Sequence, residues 1–367
     1  MEVRRIDVYA VRYHHAAGPF VMSGGRVSTE QDGTVVRLET DDGLVGWGEQ
    51  CVVTPTYSDG YAPTTHAVLG LLAPALLGAD PRRTDVAYAR LDAATKGYRY
   101  AKAALDMACW DLFGRATGLP VADLLGGIYT EVFPLYTGIG IAAPGEMRDR
   151  CAAALQAGYR RVQLKVGTGV HEDVERIEAC LEVLGEAELV IVDANAWWTQ
   201  AEAARVIAAV QHLDLMIEQP CASLEECALL RNTTRHPFVL DESLMELGDI
   251  VQARSAGAVD AVRLKLSRLG GITPTRRARD LAASFGLPIT VEDTGGGDLV
   301  SAATAHFAAS IPPRLLLGGY LPGEMAAERI ASGTPEPENG FARVPTGPGL
   351  GIEVHAEALG EPLLRVE

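Results

Sequence analysis

Seven ionisable residues recur at nearly even intervals along the chain: Lys165, Asp193, Glu218, Asp241, Lys265 and the pair Glu292-Asp293, with steps of 28, 25, 23, 24 and 27 residues. Asp193, Glu218 and Asp241, gathered in a partly dry pocket, would repel one another, and a divalent cation is the simplest neutraliser. Ligands of oxygen alone suit Mg²⁺, with Mn²⁺ as the alternative, and argue against zinc. A lysine among apolar residues and near a cation has its charged form disfavoured, so Lys165 and Lys265 are candidate general bases near neutral pH. Taken singly, each acid reads more readily as a helix cap or a solvated side chain, and the lysines as ion-pair partners. Three consecutive acids at one repeat spacing favour a common site. A Schiff-base lysine would need one lysine and no acid triad.

The step of 23 to 28 residues is that of one strand–loop–helix unit. Short apolar strands are read at 133–139, 161–166, 189–194, 215–219, 238–242, 261–266, 288–293 and 314–318, with amphipathic stretches between them. Eight such units in about 200 residues predict an α/β fold, a closed parallel barrel of the TIM type rather than an open sheet. In such a barrel the strand C-terminal ends share one face, and the seven ionisable residues all fall at those ends. Asn195 and Glu242 fall there too. Lys165 and Lys265, on strands two and six, then stand on opposite sides of one bound carbon atom.

The first third of the chain has another rhythm. Residues 2–12 and 34–41 alternate as strands, Asp42-Gly43 marks a hairpin, and 64–125 turns helical, so an α+β capping domain is expected over 1–125. The barrel domain is expected over 126–335, and the turn-rich segment 336–367 is expected to return to the cap. The loops at 14–25 and 52–61 bear Phe20, Tyr57 and Tyr61 and suit lids over the barrel mouth. Asp293 could meet a substrate ammonium and Tyr320 could form an aromatic wall.

Composition narrows the partners. With 32 Lys+Arg against 48 Asp+Glu the formal charge is −16, which disfavours nucleic acid and anionic membranes. The six cysteines form no CxxC pair and read as reduced core residues, and no stretch approaches a membrane span or secretion signal; a cytoplasmic protein with a small-molecule carboxylate substrate is expected. The lone His306 reads as a core residue. The glycines at 295–297 lack the Lys-Ser/Thr sequel of a phosphate loop.

The motifs VDAN, IEQP, LDES, QLKVG and LKLSRLGG, in this order, resemble the enolase superfamily and within it the muconate lactonizing enzyme subgroup. The resemblance spans nearly the whole chain and implies a modified (β/α)7β barrel with an N-terminal cap. It assigns Asp193, Glu218 and Asp241 to the metal and Lys165 and Lys265 to acid–base work. The implied chemistry is abstraction of the proton α to a carboxylate, through an ene-diolate stabilised by Mg²⁺. It also implies a homo-oligomer. Gln163 departs from the usual Lys-x-Lys pattern, which removes one cation beside Lys165. Strand seven carries no histidine, unlike the mandelate racemase subgroup. QLK with EDTxGGD, ACWDLFGRATGLP and IEQPC resembles the branch acting on proline derivatives. Gly295 stands where that branch often has tryptophan, which weakens the case for a quaternary ammonium and leaves dehydration of a hydroxyproline-type amino acid as the expectation. Epimerisation of proline betaine or another amino-acid derivative, cycloisomerisation, and a non-catalytic metabolite-binding barrel are the alternatives.

Overall fold

The computed structural model describes residues 1–367. The cap opens with β1 (Val3–His14), a small hairpin of β2 (Phe20–Met22) and β3 (Arg26–Ser28), then β4 (Glu30–Thr40) and β5 (Val45–Cys51). Strands β1, β4 and β5 form an antiparallel sheet whose Val3, Ile6, Val8, Val36 and Leu38 pack on α1 (Ala62–Leu72), α2 (Thr84–Ala94) and α3 (Arg99–Thr117). α3 lies so close to β5 that a Cβ at Gly48 would sit 2.0 Å from the Ala104 carbonyl oxygen. Only glycine fits there. The helix ends at Gly118, whose φ of +71° favours glycine, and Pro120 follows at the start of α4 (Val121–Leu124).

The barrel alternates β7 (Thr137–Ile139), α5 (Pro144–Gln156), β8 (Arg161–Lys165), α6 (Val170–Leu181), β9 (Leu189–Asp193), α7 (Gln200–Ala209), β10 (Met216–Glu218), α8 (Leu224–Arg231), β11 (Phe238–Leu240), α9 (Leu247–Ser255), β12 (Ala261–Lys265), α10 (Leu266–Leu269), α11 (Ile272–Ser284), β13 (Ile289–Glu292), α12 (Asp298–Ala309) and β14 (Leu316–Gly319). It is preceded by β6 (Val132–Pro134) and followed by β15 (Ala331–Ser332), β16 (Phe341–Arg343), β17 (Glu353–Val354) and β18 (Leu364–Val366). All eight expected strands are present and run parallel in sequence order from β7 to β14. A parallel bridge between Leu135 and Gly319 joins the first to the last. The expected strand 133–139 is split, because its first half pairs antiparallel with β16 and its second half with β8. β18 pairs with β1 of the cap. No helix is long and apolar enough to cross a membrane.

Register positions the site. In β8, β9 and β10, Lys165 pairs with Asp193 and Asp193 with Glu218; across the barrel, Lys265 pairs with Glu292. These residues therefore stand at one level at the strand C-terminal ends. Reciprocal Thr199–Glu202 and Ser223–Glu226 caps start α7 and α8 just beyond that level.

Buried acids lock the cap to the barrel. Asp106 of α3 accepts from Thr273 N at 2.8 Å and Thr273 Oγ1 at 2.6 Å. Glu49 of β5 accepts from Gly297 N at 2.9 Å and Val300 N at 3.1 Å, answering the amino end of α12.

Candidate active site

Strand ends bring the acids and bases into one hydrogen-bonded ring. Lys165 Nζ donates to Asp193 Oδ2 at 2.5 Å, and Gln163 Nε2 donates to Asp193 Oδ2 at 3.0 Å and Glu218 Oε2 at 2.8 Å. Asn195 Nδ2 bridges Asp193 (2.9 Å) and Glu242 (3.1 Å). Opposite them, Lys265 Nζ lies 2.7 Å from Asp241 Oδ2, 2.7 Å from Tyr57 OH and 3.0 Å from Glu292 Oε1. Asn195, Ala196 and Gln219, just past β9 and β10, all have positive φ (44°, 60° and 30°), backbone strain of the kind found at functional sites.

Three partners of these groups were not singled out in the sequence. Arg263, fully buried on β12, grips both oxygens of Glu218, with Nη2 at 2.7 Å from Oε2, and lies with Tyr136 OH and Glu292 in the barrel centre. Arg268 pairs with Asp241 and donates to Tyr57 OH at 3.0 Å. Tyr136 bonds Glu292, which in turn holds Lys265. One signal was available for Arg263, since strand period two puts it on the same face as Lys265.

Six carboxylates (Asp193, Glu218, Asp241, Glu242, Glu292, Asp293) thus share the barrel mouth with four cationic heads (Lys165, Lys265, Arg263, Arg268), a formal excess of two negative charges when all are ionised. Their acidities reflect it. Burial, with Asp193 and Asp241 nearby, pushes Glu218 up to about 8 despite Arg263. Burial and then Asp241 and Asp193 raise Glu242, while burial lifts Asp293 to about 6 against its hydrogen bonds. Asp241 and Glu292 are the exceptions: burial would raise both, but Arg268 and Lys265 hold Asp241 low, and Arg263 and Lys265 hold Glu292 low. Lys265 departs from the expected direction. Burial favours its neutral form, yet Asp241 and Glu292 outweigh burial and lift it well above an ordinary lysine. As the side chains stand, no three His, Cys, Asp or Glu groups converge on a common coordination point, and the acids face ammonium and guanidinium heads instead. The donor set nevertheless fits a hard divalent ion: all oxygen, on adjacent strands, with a charge surplus of two and one buried, unpartnered oxygen, Glu242 Oε2.

The two lysines line one cavity together with Gln163, Glu292, Asp293 and a wall of Phe20, Tyr57, Tyr136 and Tyr320. Tyr57 reaches deeper than a lid residue would, to Asp241 and Lys265. Tyr61 is exposed and lies outside the cavity. Asp293 lines it, but its oxygens already accept from Ser267 N (3.0 Å), Ser267 Oγ (2.7 Å) and Thr294 N (2.7 Å). Gly295 faces the cap, where a Cβ would sit 2.5 Å from Gln31 Oε1. Trp198 is buried and donates to Asp173, whereas Trp197 is exposed on the rim beside Arg26. His306 is a core residue bonded to Leu350 O.

A parallel barrel with this ring at its strand ends and an α+β cap defines a class. Residues 5–126 match the mandelate racemase / muconate lactonizing enzyme N-terminal domain, and residues 146–358 match the enolase C-terminal domain-like family. The chain belongs to the mandelate racemase/muconate lactonizing enzyme family of the enolase superfamily, and it is an enzyme of that class. It is 40% identical, over 100% of both chains, to a cis-3-hydroxy-L-proline dehydratase of Roseibium aggregatum. It is 32% identical, over 98% of both, to an N-succinyl-L-Arg/Lys racemase of Bacillus cereus. Among solved structures, an enolase-superfamily member from Roseovarius nubinhibens in complex with magnesium superposes with a TM-score of 0.94 at 35% identity, covering 100% of this chain and 99% of that one.

Proposed function

We propose that the protein removes the proton α to the carboxylate of a hydroxyproline-type amino acid and expels its β-hydroxyl as water, with a divalent cation, Mg²⁺ by preference, held by Asp193, Glu218 and Asp241. The observation that carries this reading is the pair of lysines facing one cavity from β8 and β12, four strands apart. When bound, the cation would neutralise the negative charge that builds on the substrate carboxylate as the α-proton leaves.

The chain's own groups do the rest. In cis-3-hydroxy-L-proline the α-hydrogen and the hydroxyl lie on opposite ring faces. One lysine, as the free amine, takes the α-proton, and the other, as the ammonium, protonates the departing hydroxyl from the opposite face. The resulting enamine tautomerises to a cyclic imine. Gln163 and Asn195 hold Asp193 in place, and Glu292 holds Lys265. Phe20 and Tyr320 exclude water beside the ring, and Tyr57 fixes the Lys265 head. The similarity to the Roseibium dehydratase supports a substrate of this kind.

A second reading, epimerisation of proline betaine, is favoured by the aromatic wall of Phe20, Tyr57 and Tyr320, which suits a quaternary ammonium. Incubation with Mg²⁺ and each candidate, followed by NMR, separates the two. An imine carbon from cis-3-hydroxy-L-proline supports dehydration, and inverted betaine with cis-3-hydroxy-L-proline left intact contradicts it.

A further inference from the structure

Tyr57 reaches the acid–base centre from the cap: its hydroxyl lies 2.7 Å from Lys265 Nζ, 3.0 Å from Arg268 Nη2 and 3.2 Å from Asp241 Oδ2. Its own loop does little to place it. From Thr54 to Gly60 the only backbone–backbone hydrogen bond is Tyr57 N to Thr54 O at 3.1 Å, inside the loop itself. Side-chain contacts therefore set the depth of the ring. One of them comes from Arg26, a half-buried residue at the start of β3 to which the proposed dehydration gives no task. The Arg26 guanidinium lies over the Tyr57 ring, 5.5 Å from its centroid, and over the Trp197 ring at the same distance. Its Nε donates to Ser23 O at 2.8 Å and its Nη2 to Asn195 O at 3.2 Å. A flat fork of permanent charge can do all of this at once, donating from its edge to carbonyl oxygens while its faces meet aromatic rings.

The other end of this contact is anchored on the barrel. Gly24 N donates to Gly167 O, just past β8, at 2.8 Å, and a Cβ at Gly24 would sit 2.6 Å from the Trp197 ring. Asn195 is buried and bonded to Asp193 and Glu242. Arg26 thus stands on the rim above β8 and β9 and presses on the tyrosine that meets Lys265 of β12, while bordering no part of the cavity itself.

We propose that Arg26 is a positioning residue for Lys265, acting through Tyr57. Held by Trp197 and the Asn195 carbonyl, it keeps the Tyr57 ring at the depth where the hydroxyl meets the lysine amine. Without it the ring loses a face contact, the hydroxyl drifts from Nζ, and fewer molecules hold Lys265 aligned on the α-carbon. The importance of Lys265 rests on the two-base reading; the contact between Arg26 and Tyr57 does not.

The test uses the full chain with Mg²⁺ and whichever of cis-3-hydroxy-L-proline and proline betaine it turns over, in wild type, Arg26→Ala, Tyr57→Phe and the double variant. Arg26→Ala is expected to lower kcat at least fivefold and to leave KM within twofold. In the Tyr57→Phe background the same substitution should lower kcat less than twofold, because the hydroxyl through which it acts is gone. Amide hydrogen exchange supplies a readout independent of turnover: residues 54–60 should exchange at least tenfold faster in Arg26→Ala, with β1 unchanged. An unchanged kcat, a loss confined to KM, a fivefold loss repeated in Tyr57→Phe, or unchanged exchange at 54–60 overturns the positioning role. Faster exchange at 54–60 in Arg26→Ala, with a wild type that turns over neither substrate, supports the contact of Arg26 with Tyr57 and overturns the two-base reaction.

Discussion

Lys165 and Lys265 end strands on opposite sides of the barrel, yet both border one cavity, and each is paired with a different acid of the triad: Asp193 at 2.5 Å and Asp241 at 2.7 Å. Each lysine proposed as a base is therefore tied to an acid proposed to hold the metal. Occupancy of the acids and freedom of the lysines are physically coupled, because a divalent ion competes with the ammonium heads for the same oxygens.

Removing either lysine should leave the fold and sharply lower turnover. General acid–base groups contribute about 10²- to 10⁴-fold, so Lys165→Ala and Lys265→Ala are each expected to lose activity in that range while keeping the wild-type circular dichroism spectrum. Wild-type turnover in both variants would remove the lysines from the mechanism.

The surplus of two negative charges predicts that Mg²⁺ stabilises the protein. At about 100 times the dissociation constant the gain is about 2.7 kcal/mol, visible as a rise in Tm that chelation reverses. Asp241→Asn should blunt the rise. A Tm indifferent to Mg²⁺ would count against the triad as a metal site.

Arg263 and Glu218 form a fully buried, two-pronged ion pair. Breaking such a pair leaves a buried charge unanswered and costs about 3–5 kcal/mol. Arg263→Met should lower the free energy of unfolding in urea by that order, and Arg263→Lys by less. A change below about 1 kcal/mol would mean that Glu218 does not depend on Arg263.

Most of the architecture was legible because it is periodic. Eight apolar runs at repeat spacing define the strands, and their polar last residues place Lys165, Asp193, Glu218, Asp241, Lys265 and Glu292 at one level. Arg263 and Tyr136 were not legible as site residues. Whether a buried charge is paired is decided by distance across the barrel, and Tyr136 meets Arg263 from a residue 127 positions away. The lids were legible as loops but not in depth: Tyr57 and Tyr61 look alike in the sequence, and only Tyr57 turns inward. The splitting of 133–139 was hidden because β16, which captures its first half, lies some 200 residues further on.

Glu49 gives a pH signature away from the triad. Burial raises its carboxyl from 4.5 to about 7, against the nearby Tyr13 hydroxyl and the hydrogen bonds from Val300 N and Gly297 N. A folded-state value above the unfolded one means that the folded protein holds the proton more tightly. The stability so gained is fully present below pH about 4.5 and is lost as pH rises through about 7. Relative to Glu49→Gln, wild type should lose on the order of 3 kcal/mol between those limits. Parallel pH–stability curves for the two proteins would show that Glu49 does not titrate there.

The most direct test of the two-base account is the fate of the α-hydrogen of cis-3-hydroxy-L-proline in the presence of Mg²⁺, followed by NMR in wild type, Lys165→Ala and Lys265→Ala. Substituting deuterium at Cα and comparing rates completes it. The account predicts that wild type consumes the substrate with a primary isotope effect, releasing water and an imine, and that neither variant does so. A wild-type enzyme that leaves the α-hydrogen of this substrate and of other α-amino carboxylates untouched, with Mg²⁺ bound, would contradict it.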